Sequence, residues 1–323
     1  MKKSKKIFLG FFSFFFLSAI SFLLWMSFVI PFEKIKSLKK GSVEFHYDQD
    51  QKKITYKIID QKSNNWISLE EISKKSYQAI VISEDWSFFE HSGVDYKQIQ
   101  ASIENSLEKG VKPRGASTIT QQVVKNLFLN PEYSFERKLK EASSAYFMDK
   151  NLSKEKILEI YLNIVEFGPG VYGISQASKY YFEKSPSDLS AREGAFLAML
   201  LPNPSEYHQS FKQLELSDYA NETIEDILWK MKVADYLTPG ELEKQNKNYF
   251  EWEKKFQRQQ KKMKKAQQKK AKSSGQRDVK ARKNRALNRA KYDSKLQIED
   301  NPEFDDDALV EDVAGLEEEF SID

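Results

Sequence analysis

The longest apolar segment of the chain lies near its start. From Ile7 to Ile30 no residue is charged, and at about 1.5 Å per residue such a helix can cross a hydrocarbon core of about 30 Å. The alternative is a cleavable signal peptide, whose apolar core usually has about 7 to 15 residues and ends in small ones. This run instead continues to Pro31. The pattern therefore predicts an uncleaved transmembrane helix over residues 7–30.

A membrane-proximal segment, residues 31–64, follows the apolar run. Within it, SVEFHYDQDQKKITYKII (residues 42–59) mixes β-branched and aromatic residues with polar ones in partial alternation. Such a pattern favours a short β-hairpin near the membrane.

Helical periodicity dominates residues 65–245. Ser68 and Glu71 have capping-box spacing, and the helix that they introduce would deliver Glu84 to its C-terminal edge. Loops rich in Gly, Pro and Asn separate the later helical patterns, so the sequence predicts a mainly α-helical domain. Those patterns are DYKQIQASIENSLEKG (95–110), STITQQVVKNLFL (117–129), SFERKLKEASSAYFMDK (134–150), SKEKILEIYLNIVEF (153–167), GISQASKYYF (173–182) and SAREGAFLAMLL (190–201).

Composition and charge change the picture in two ways. The chain of 323 residues contains no cysteine, which excludes disulfides and thiolate metal sites. Lysines at positions 2, 3, 5 and 6 precede the apolar run, so residues 1–6 are expected in the cytoplasm and everything after Pro31 outside. Lysines at positions 34, 36, 39 and 40 weaken this asymmetry. We expect a single-pass protein of the cytoplasmic (inner) membrane, with its main domain on the periplasmic or extracellular face.

The end of the chain, residues 246–323, differs in kind. Residues 254–291 consist mostly of Lys, Arg and Gln, whereas residues 299–323 carry acids and no base. Segments this polar bury too little apolar surface to offset chain entropy, so a disordered tail or a solvated helix is expected. A basic arm can bind nucleic acid, but outside the membrane the available polyanions are lipid headgroups and wall polymers. We therefore expect no nucleic-acid partner.

The stretch EDWSFFEHSG, residues 84–93, contains a candidate for acid–base chemistry. Glu84 and Asp85 lie beside Trp86, Phe88 and Phe89. Aromatic walls that exclude water from a carboxylate raise its affinity for protons, which suits a general acid or base. The alternative is a core Phe pair beside solvated acids.

Four stretches stand in order along the chain: EDWSFFEHSG, RGASTITQQVVKN, RKLKE and KILEIYLN. At this spacing, behind an apolar N-terminal run, they resemble the peptidoglycan glycosyltransferases of glycosyltransferase family 51. The resemblance is greatest to the monofunctional membrane-anchored members and extends from about residue 66 to about residue 207. It implies a lysozyme-like α-helical fold, with a second lobe that flanks the cleft near the membrane.

The reaction implied by this resemblance joins disaccharide units of lipid II, a polyprenyl-diphosphate-linked precursor, to the growing lipid-linked glycan chain through β-1,4 linkages. The attacking 4-hydroxyl must lose a proton and a diphosphate must leave, so a base and positive charge are both needed. Glu84 matches the family's general base, with Asp85 as a supporting acid. Gly93 and His91 would fix the turn that carries the base. His91 is either a proton carrier at the substrate or a structural histidine.

The GAST segment has physical features of an anion site. Gly115 and Ala116 lack bulk, so the backbone can approach a ligand closely. Ser117 or Thr118 can cap the following helix, whose N-terminal N–H groups favour anions. By resemblance, Lys125 contacts the diphosphate. The same stretch also fits an ordinary capped amphipathic helix, and both interpretations can hold because they use different faces.

In RKLKE, Arg137 and Glu141 stand at i and i+4 and share a helix face. A surface ion pair, which contributes little, is one interpretation. By resemblance, Glu141 is the family's second essential carboxylate, placed with Arg137 and Lys138 around the leaving group or its divalent cation. Mg²⁺ held by one carboxylate and phosphate oxygens suits that chemistry, and Glu141 is then its protein ligand. The candidate substrate-binding residues are Arg114, Ser117, Thr118, Gln121, Gln122, Lys125, Arg137, Lys138 and His91. In KILEIYLN, Tyr161 and Asn163 are expected to support the cleft from beneath, and Glu159 to be structural.

Other functions fit less well. A lytic transglycosylase or lysozyme would share the fold and a catalytic Glu, but has no use for the cations at a diphosphate pocket. A bifunctional penicillin-binding protein needs a transpeptidase domain, and neither SDN nor KTG occurs in the chain. A non-catalytic membrane scaffold, which recruits other cell-wall synthesis proteins through residues 246–323, is a third possibility from a different class.

Overall fold

The computed structural model describes residues 16–18, 20–21, 24–26, 28–48, 53–63, 65–110, 117–130, 132 and 134–300. Within those ranges, no helix is both long enough and apolar enough to cross a bilayer. Of the predicted transmembrane span 7–30, residues 7–15, 19, 22, 23 and 27 lie outside the described residues. The chain divides into two compact units, residues 1–254 and residues 255–323.

The membrane-proximal segment contains a short helix and a β-hairpin. Helix α1 is Phe32–Ser37, and strands β1 (Ser42–Asp48) and β2 (Lys53–Ile59) pair antiparallel. This confirms the predicted hairpin. Its inner face packs on the helical domain, where the Tyr56 hydroxyl donates a hydrogen bond to the Ile164 carbonyl oxygen at 3.1 Å.

The first helix of the main domain begins later than the sequence pattern suggests. Ser68 and Glu71 do form a capping box, but on the 3₁₀ turn Leu69–Glu71. Ser73 then precedes helix α2, Lys74–Glu84. The C-terminus of α2 lies at Glu84, as predicted, because Asp85 leaves helical geometry with φ −159° and ψ 76°.

The later helices lie where periodicity predicts them. Side-chain caps define the starts of five of them: Asp95, Thr118, Ser134, Ser153 and Ser190 each accept a hydrogen bond from the backbone N–H three residues on. Such a cap satisfies an N–H group that has no partner within the helix. The helices are α3 (Tyr96–Lys109), α4 (Ile119–Phe128), α5 (Phe135–Asn151), α6 (Lys154–Ile164), α7 (Gly173–Phe182) and α8 (Ala191–Leu200).

The centre of the core is the contact between α2 and α8. Every residue of α8 is buried. Gly194 permits the close approach, because a Cβ there would lie 2.4 Å from the Ser76 carbonyl oxygen of α2. The orientation of α2, and hence of Glu84 at its end, is therefore set by α8.

Two short strands, a 3₁₀ turn and four helices complete the described part of the domain. Strands β3 (Glu166–Gly168) and β4 (Val171–Tyr172) form a small antiparallel pair. They are followed by the 3₁₀ turn Pro186–Asp188 between α7 and α8, and then by α9 (Pro204–Tyr207), α10 (Gln209–Gln213), α11 (Asp218–Val233) and α12 (Pro239–Lys247). Helix α11 packs on both α2 and α8.

The packed domain continues past residue 245, where the sequence analysis ends it. Phe250 and Trp252 are buried and stack with ring centroids 5.1 Å apart. Both rings also contact Phe196 of α8, at 5.2 and 5.9 Å. These two aromatic residues extend the core to the end of the first unit.

A long helix, α13 (Glu251–Asp300), occupies most of the charged tail. Of the two expectations for this tail, the structure has a helix over residues 251–300, and most of residues 254–269 are exposed. Lys, Arg, Gln and Ala, which dominate it, all have high helix propensity. The acidic residues 301–323 lie outside the described residues.

Candidate active site

Glu84 lies at the C-terminal end of α2 and is half-buried. Its Oε2 accepts a hydrogen bond from Gln122 Nε2 of α4 at 2.8 Å. Burial raises the pKa of the Glu84 carboxyl above its usual value, the hydrogen bond from Gln122 and the positive charge of Lys125 lower it, and the nearby Asp85 raises it further. A carboxyl with a raised pKa, on a partly exposed side chain, suits proton transfer.

Asp85 is buried, and its carboxylate is held by hydrogen bonds to the surrounding structure. Its Oδ1 and Oδ2 lie 2.8 and 3.1 Å from His91 Nε2, and Oδ2 also accepts the backbone N–H of Ile119 at 2.9 Å. Asp85 therefore ties the loop after α2 to the first turn of α4. The contact explains the position of His91, which lies on Asp85 and beside the Phe88 ring.

The aromatic residues of this loop are divided between core and surface. Phe88 is fully buried, whereas Trp86 and Phe89 are 49% and 48% exposed. The sequence predicts that all three shield the carboxylates from water; in the structure, Phe88 alone of the three is buried. Phe88 is therefore the aromatic residue of this loop that belongs to the core.

Gly93 joins the loop to two helices. Its φ is +74°, and a Cβ there would lie 2.5 Å from the Ala145 carbonyl oxygen of α5. The Thr118 hydroxyl, at the N-cap of α4, donates to the Gly93 carbonyl oxygen at 2.6 Å. Glycine is required here by both the left-handed conformation and the close approach.

Asp85, His91 and Asp95 place potential metal-ligand atoms within 4.8 Å of one another. The Asp95 oxygens, however, accept from the Ser87 hydroxyl and from the Gln98 N–H at the start of α3. The described residues give His91 Nδ1 no partner. We assign this cluster a structural role, because its carboxylates already hold the loop to the N-termini of α3 and α4. Asp95 is not among the site residues predicted from the sequence, although an Asp before a helical pattern is an N-cap signal.

Thr118, and not Ser117, caps α4. The Thr118 hydroxyl accepts the Gln121 N–H, and Gln121 Oε1 accepts the Thr118 N–H, both at 3.1 Å. Ser117 is exposed and accepts a hydrogen bond from Lys138 Nζ at 2.9 Å. Arg114, with Gly115 and Ala116, lies outside the described residues.

Glu141 is the buried centre of a cationic cluster. Its side chain is 3% exposed, and Oε2 lies 3.2 Å from Arg137 Nη1. Oε1 accepts from Gln121 Nε2 at 3.2 Å and pairs with Lys138. The Arg137–Glu141 pair has the predicted i, i+4 spacing, but it is buried and therefore not the surface ion pair of the simpler interpretation.

Lys125 extends from α4, one helical turn beyond Gln122, and its side chain is exposed. Among the described residues, its ammonium group makes no hydrogen bond or ion pair within the distance of a direct contact. Its charge nevertheless acts on Glu84. An exposed cation beside a candidate base is available to an anionic ligand.

The residues of KILEIYLN support the site from beneath. Tyr161 is fully buried, and its hydroxyl donates to Gln122 Oε1 at 3.3 Å. Asn163 bonds both backbone groups of Ile67. Glu159 accepts from the Trp66 indole N–H at 2.8 Å, and its role is structural, as expected.

The chain is similar to known proteins over most of its helical domain. The family model described as Transglycosylase matches residues 51–232. A biosynthetic peptidoglycan transglycosylase from Haemophilus influenzae is 42% identical over 200 residues, which are 60% of this chain and 75% of that protein. One from Shewanella amazonensis is 48% identical over 147 residues, 46% of this chain and 60% of that protein. Penicillin-binding protein 1F from Bacillus subtilis is 41% identical over 176 residues, half of this chain but 25% of that protein. The chain thus spans less than two thirds of the Shewanella relative.

Proposed function

This chain belongs to the transglycosylase family, and we propose that it polymerises the glycan chains of peptidoglycan from lipid II. The reaction is an inverting glycosyl transfer that forms β-1,4 linkages and releases polyprenyl diphosphate. The observation that carries this proposal is the pair formed by Glu84 and Lys125. A carboxylate with a raised pKa stands beside an exposed cation without a direct partner among the described residues.

The chemistry follows from that pair in a single displacement. Glu84 takes the proton of the acceptor 4-hydroxyl while the hydroxyl oxygen forms a bond to the anomeric carbon of the donor chain. The bond between that carbon and the diphosphate oxygen breaks on the opposite face, so the configuration inverts. Lys125 stabilises the charge that develops on the departing diphosphate. This single displacement forms no covalent glycosyl-enzyme.

Arg137 and Lys138 also contribute positive charge that can stabilise the departing diphosphate. Both pair with Glu141, which offsets their charge and fixes their positions. Lys138 also bonds Ser117 and is 38% exposed, so its ammonium group is accessible to a ligand at the start of α4. Asp85 and Thr118 already accept N–H groups at that helix end, so an anion there would be favoured by the helix dipole and by Lys138. We infer that the diphosphate lies along the N-terminal half of α4.

The residues around Glu141 do not fit a divalent cation. Both of its carboxylate oxygens accept hydrogen bonds, from Gln121, Arg137 and Lys138. A metal ion on the same oxygens would stand next to two positive side chains, and Mg²⁺ prefers carboxylates and phosphates that are free to coordinate it. The displacement described above does not depend on a metal. Mg²⁺ remains a prediction, with the phosphate groups of the substrate as its expected ligands.

The setting that we propose is the outer face of the cytoplasmic membrane. The uncharged run from residue 7 to residue 30 is long enough for a single-pass anchor with a cytoplasmic N-terminus. Lipid II and the growing chain both carry lipid tails, so an anchored enzyme meets them at the bilayer surface. The domain would have the lysozyme-like arrangement of the peptidoglycan glycosyltransferases. Helix α13 and the acidic residues after it are a candidate contact for other cell-wall synthesis proteins.

The test is polymerisation of labelled lipid II by the detergent-solubilised full chain, with products separated by size. We expect long glycan from the wild type and none from Glu84→Gln, which keeps the shape of the side chain but cannot act as a base. Glu159→Gln is the matched control, because Glu159 is a structural acid outside the proposed chemistry. Shortening of finished glycan by the wild type, without extension of lipid II, would instead establish a lytic enzyme. No activity in either assay would favour the scaffold.

A further inference from the structure

Two adjacent glutamines of α4 serve two different carboxylates. Gln121 donates through Nε2 to Glu141, and Gln122 donates through Nε2 to Glu84. Successive side chains of a helix point about 100° apart, so the two amides reach different carboxylates. In each pair, the N–H side of the amide faces the carboxylate.

Both amides are also fixed at their oxygen end. Gln121 Oε1 accepts the backbone N–H of Thr118, which can only donate, so the orientation of that amide is determined. Gln122 Oε1 accepts the hydroxyl of Tyr161 at 3.3 Å. Tyr161 is fully buried in α6, whose neighbouring side chains are buried too, so the position of its hydroxyl is set by the core. The chain Tyr161–Gln122–Glu84 thus runs from the core to the surface.

We propose that Tyr161 is a positioning residue for the catalytic base and acts through Gln122. Its hydroxyl holds the Gln122 oxygen, so that the amide presents N–H and not C=O to Glu84. An N–H donor stabilises the ionised carboxylate, whereas a carbonyl would stabilise the protonated one. This inference rests on the proposed function, because it assigns Glu84 the role of the base.

The other groups around Glu84 do not replace this contact. Asp85, on the loop after α2, disfavours the ionised form through its own negative charge. Lys125 of α4 favours the ionised form by its charge, but the diphosphate would compete for it. The pKa of Tyr161 is itself raised well above its usual value by burial and by the charges of Glu84 and Asp85, so its hydroxyl remains a neutral donor. In the part of the chain that the structure describes, Gln122 is the neutral donor in contact with the Glu84 carboxylate.

The experiment is the pH dependence of kcat/KM for lipid II polymerisation, which reports the pKa of essential groups in the free enzyme. Tyr161→Phe removes the hydroxyl and keeps the ring. A neutral hydrogen bond contributes about 0.5 to 1.5 kcal/mol, or about 0.4 to 1.1 pKa units. We expect the acidic limb to move to higher pH by up to about one unit, and kcat/KM on that limb to fall about three- to tenfold, with the alkaline limb unchanged.

A second substitution tests the route of the effect. Gln122→Met keeps the length of the side chain and removes the donor, so its acidic limb should move at least as far as that of Tyr161→Phe. If Tyr161 acts through Gln122, the double variant should have the same limb as Gln122→Met alone. A further shift in the double variant would overturn the proposal. An unchanged limb in Gln122→Met would overturn it even if Tyr161→Phe folded poorly.

Tyr181→Phe is the matched control for the loss of a buried tyrosine hydroxyl. Tyr181 is 2% exposed, and its hydroxyl bonds the Phe167 carbonyl oxygen and His208 Nδ1 away from Glu84. Its acidic limb should match that of the wild type, and equal shifts in both Tyr→Phe variants would contradict the inference. A wild type that fails to extend lipid II would refute the proposed function, whereas an active wild type with a Tyr161→Phe limb like its own would refute only the positioning role.

Discussion

The close contact of α2 with α8 gives a sharp stability prediction at Gly194. In Gly194→Ala the new Cβ would lie 2.4 Å from the Ser76 carbonyl oxygen and 2.5 Å from its Cα. Carbon atoms pack best at about 3.5 to 4.0 Å, so the two helices would have to separate by about 1 Å. Because the obstacle is backbone, no side-chain rotation relieves it.

The magnitude follows from two opposing effects. Overpacking of a core costs about 1 to 3 kcal/mol, and a backbone contact belongs at the upper end. Alanine in place of glycine inside a helix returns about 1 kcal/mol. The free energy of unfolding should therefore fall by about 2 kcal/mol, which lowers Tm by about 4 to 8 °C in a domain of this size.

Thermal unfolding followed by circular dichroism measures this effect in the solubilised full chain. Gly240→Ala is the control, since a Cβ at Gly240 of α12 has no heavy atom within 4 Å among the described residues. That variant should melt at or slightly above the wild-type temperature. Because α2 ends at Glu84, the 1 Å separation should also reduce the polymerisation rate, by up to about 100-fold. A Gly194→Ala variant that melts with Gly240→Ala would refute the reasoning.

Further predictions concern the groups of the site. The base must be ionised and its pKa is raised by burial, so activity should be lost as the pH falls through a value above that of an exposed Glu; a pH–rate profile with an acidic limb at or below pH 4.5, the ordinary value, would contradict the role of Glu84. Lys125→Met should reduce kcat/KM at least about 100-fold without lowering Tm, whereas the exposed Lys212→Met should leave both unchanged. Thr118→Val removes the cap of α4 and its bond to Gly93, and should cost about 1 to 2 kcal/mol of stability in a denaturant titration. Glu141→Ala leaves Arg137, which is 14% exposed, without its carboxylate partner and should cost about 1 to 3 kcal/mol. Binding of Mn²⁺ to the free protein, followed by electron paramagnetic resonance, should be the same in the wild type and Glu141→Gln, since the Glu141 oxygens are already engaged.

Local structure was predictable where it depends on neighbours in the sequence. Ser134 caps α5 and Ser153 caps α6 because a side-chain oxygen at the N-cap satisfies an N–H group three residues on, which requires no distant contact. The hairpin of residues 42–59 likewise follows from β-branched and aromatic residues on its inner face. The ordered motifs also identified Glu84 and Glu141 as the candidate carboxylates.

Sequence patterns gave the wrong boundary for two features whose structure depends on contacts outside the pattern itself. The capping box at Ser68 is present, but it closes a 3₁₀ turn, because Glu71 also pairs with Lys62 and Ile72 is extended. The end of the domain at residue 245 was too early, since Phe250 and Trp252 gain their burial from rings distant in the sequence. No periodic signal precedes these two aromatic residues.

The sequence by itself determined the helices, their caps and the types of chemical group available. Only the tertiary structure decided which group meets which. Gln121 and Gln122 are adjacent and chemically identical, yet one holds Glu141 and the other Glu84, because α4 directs them to different partners. Burial of the Arg137–Glu141 pair and the raised pKa of Glu84 are decided in the same way. Hydrogen bonds within a helix act over three or four residues, whereas burial and electrostatic environment depend on segments that only the packed chain brings together.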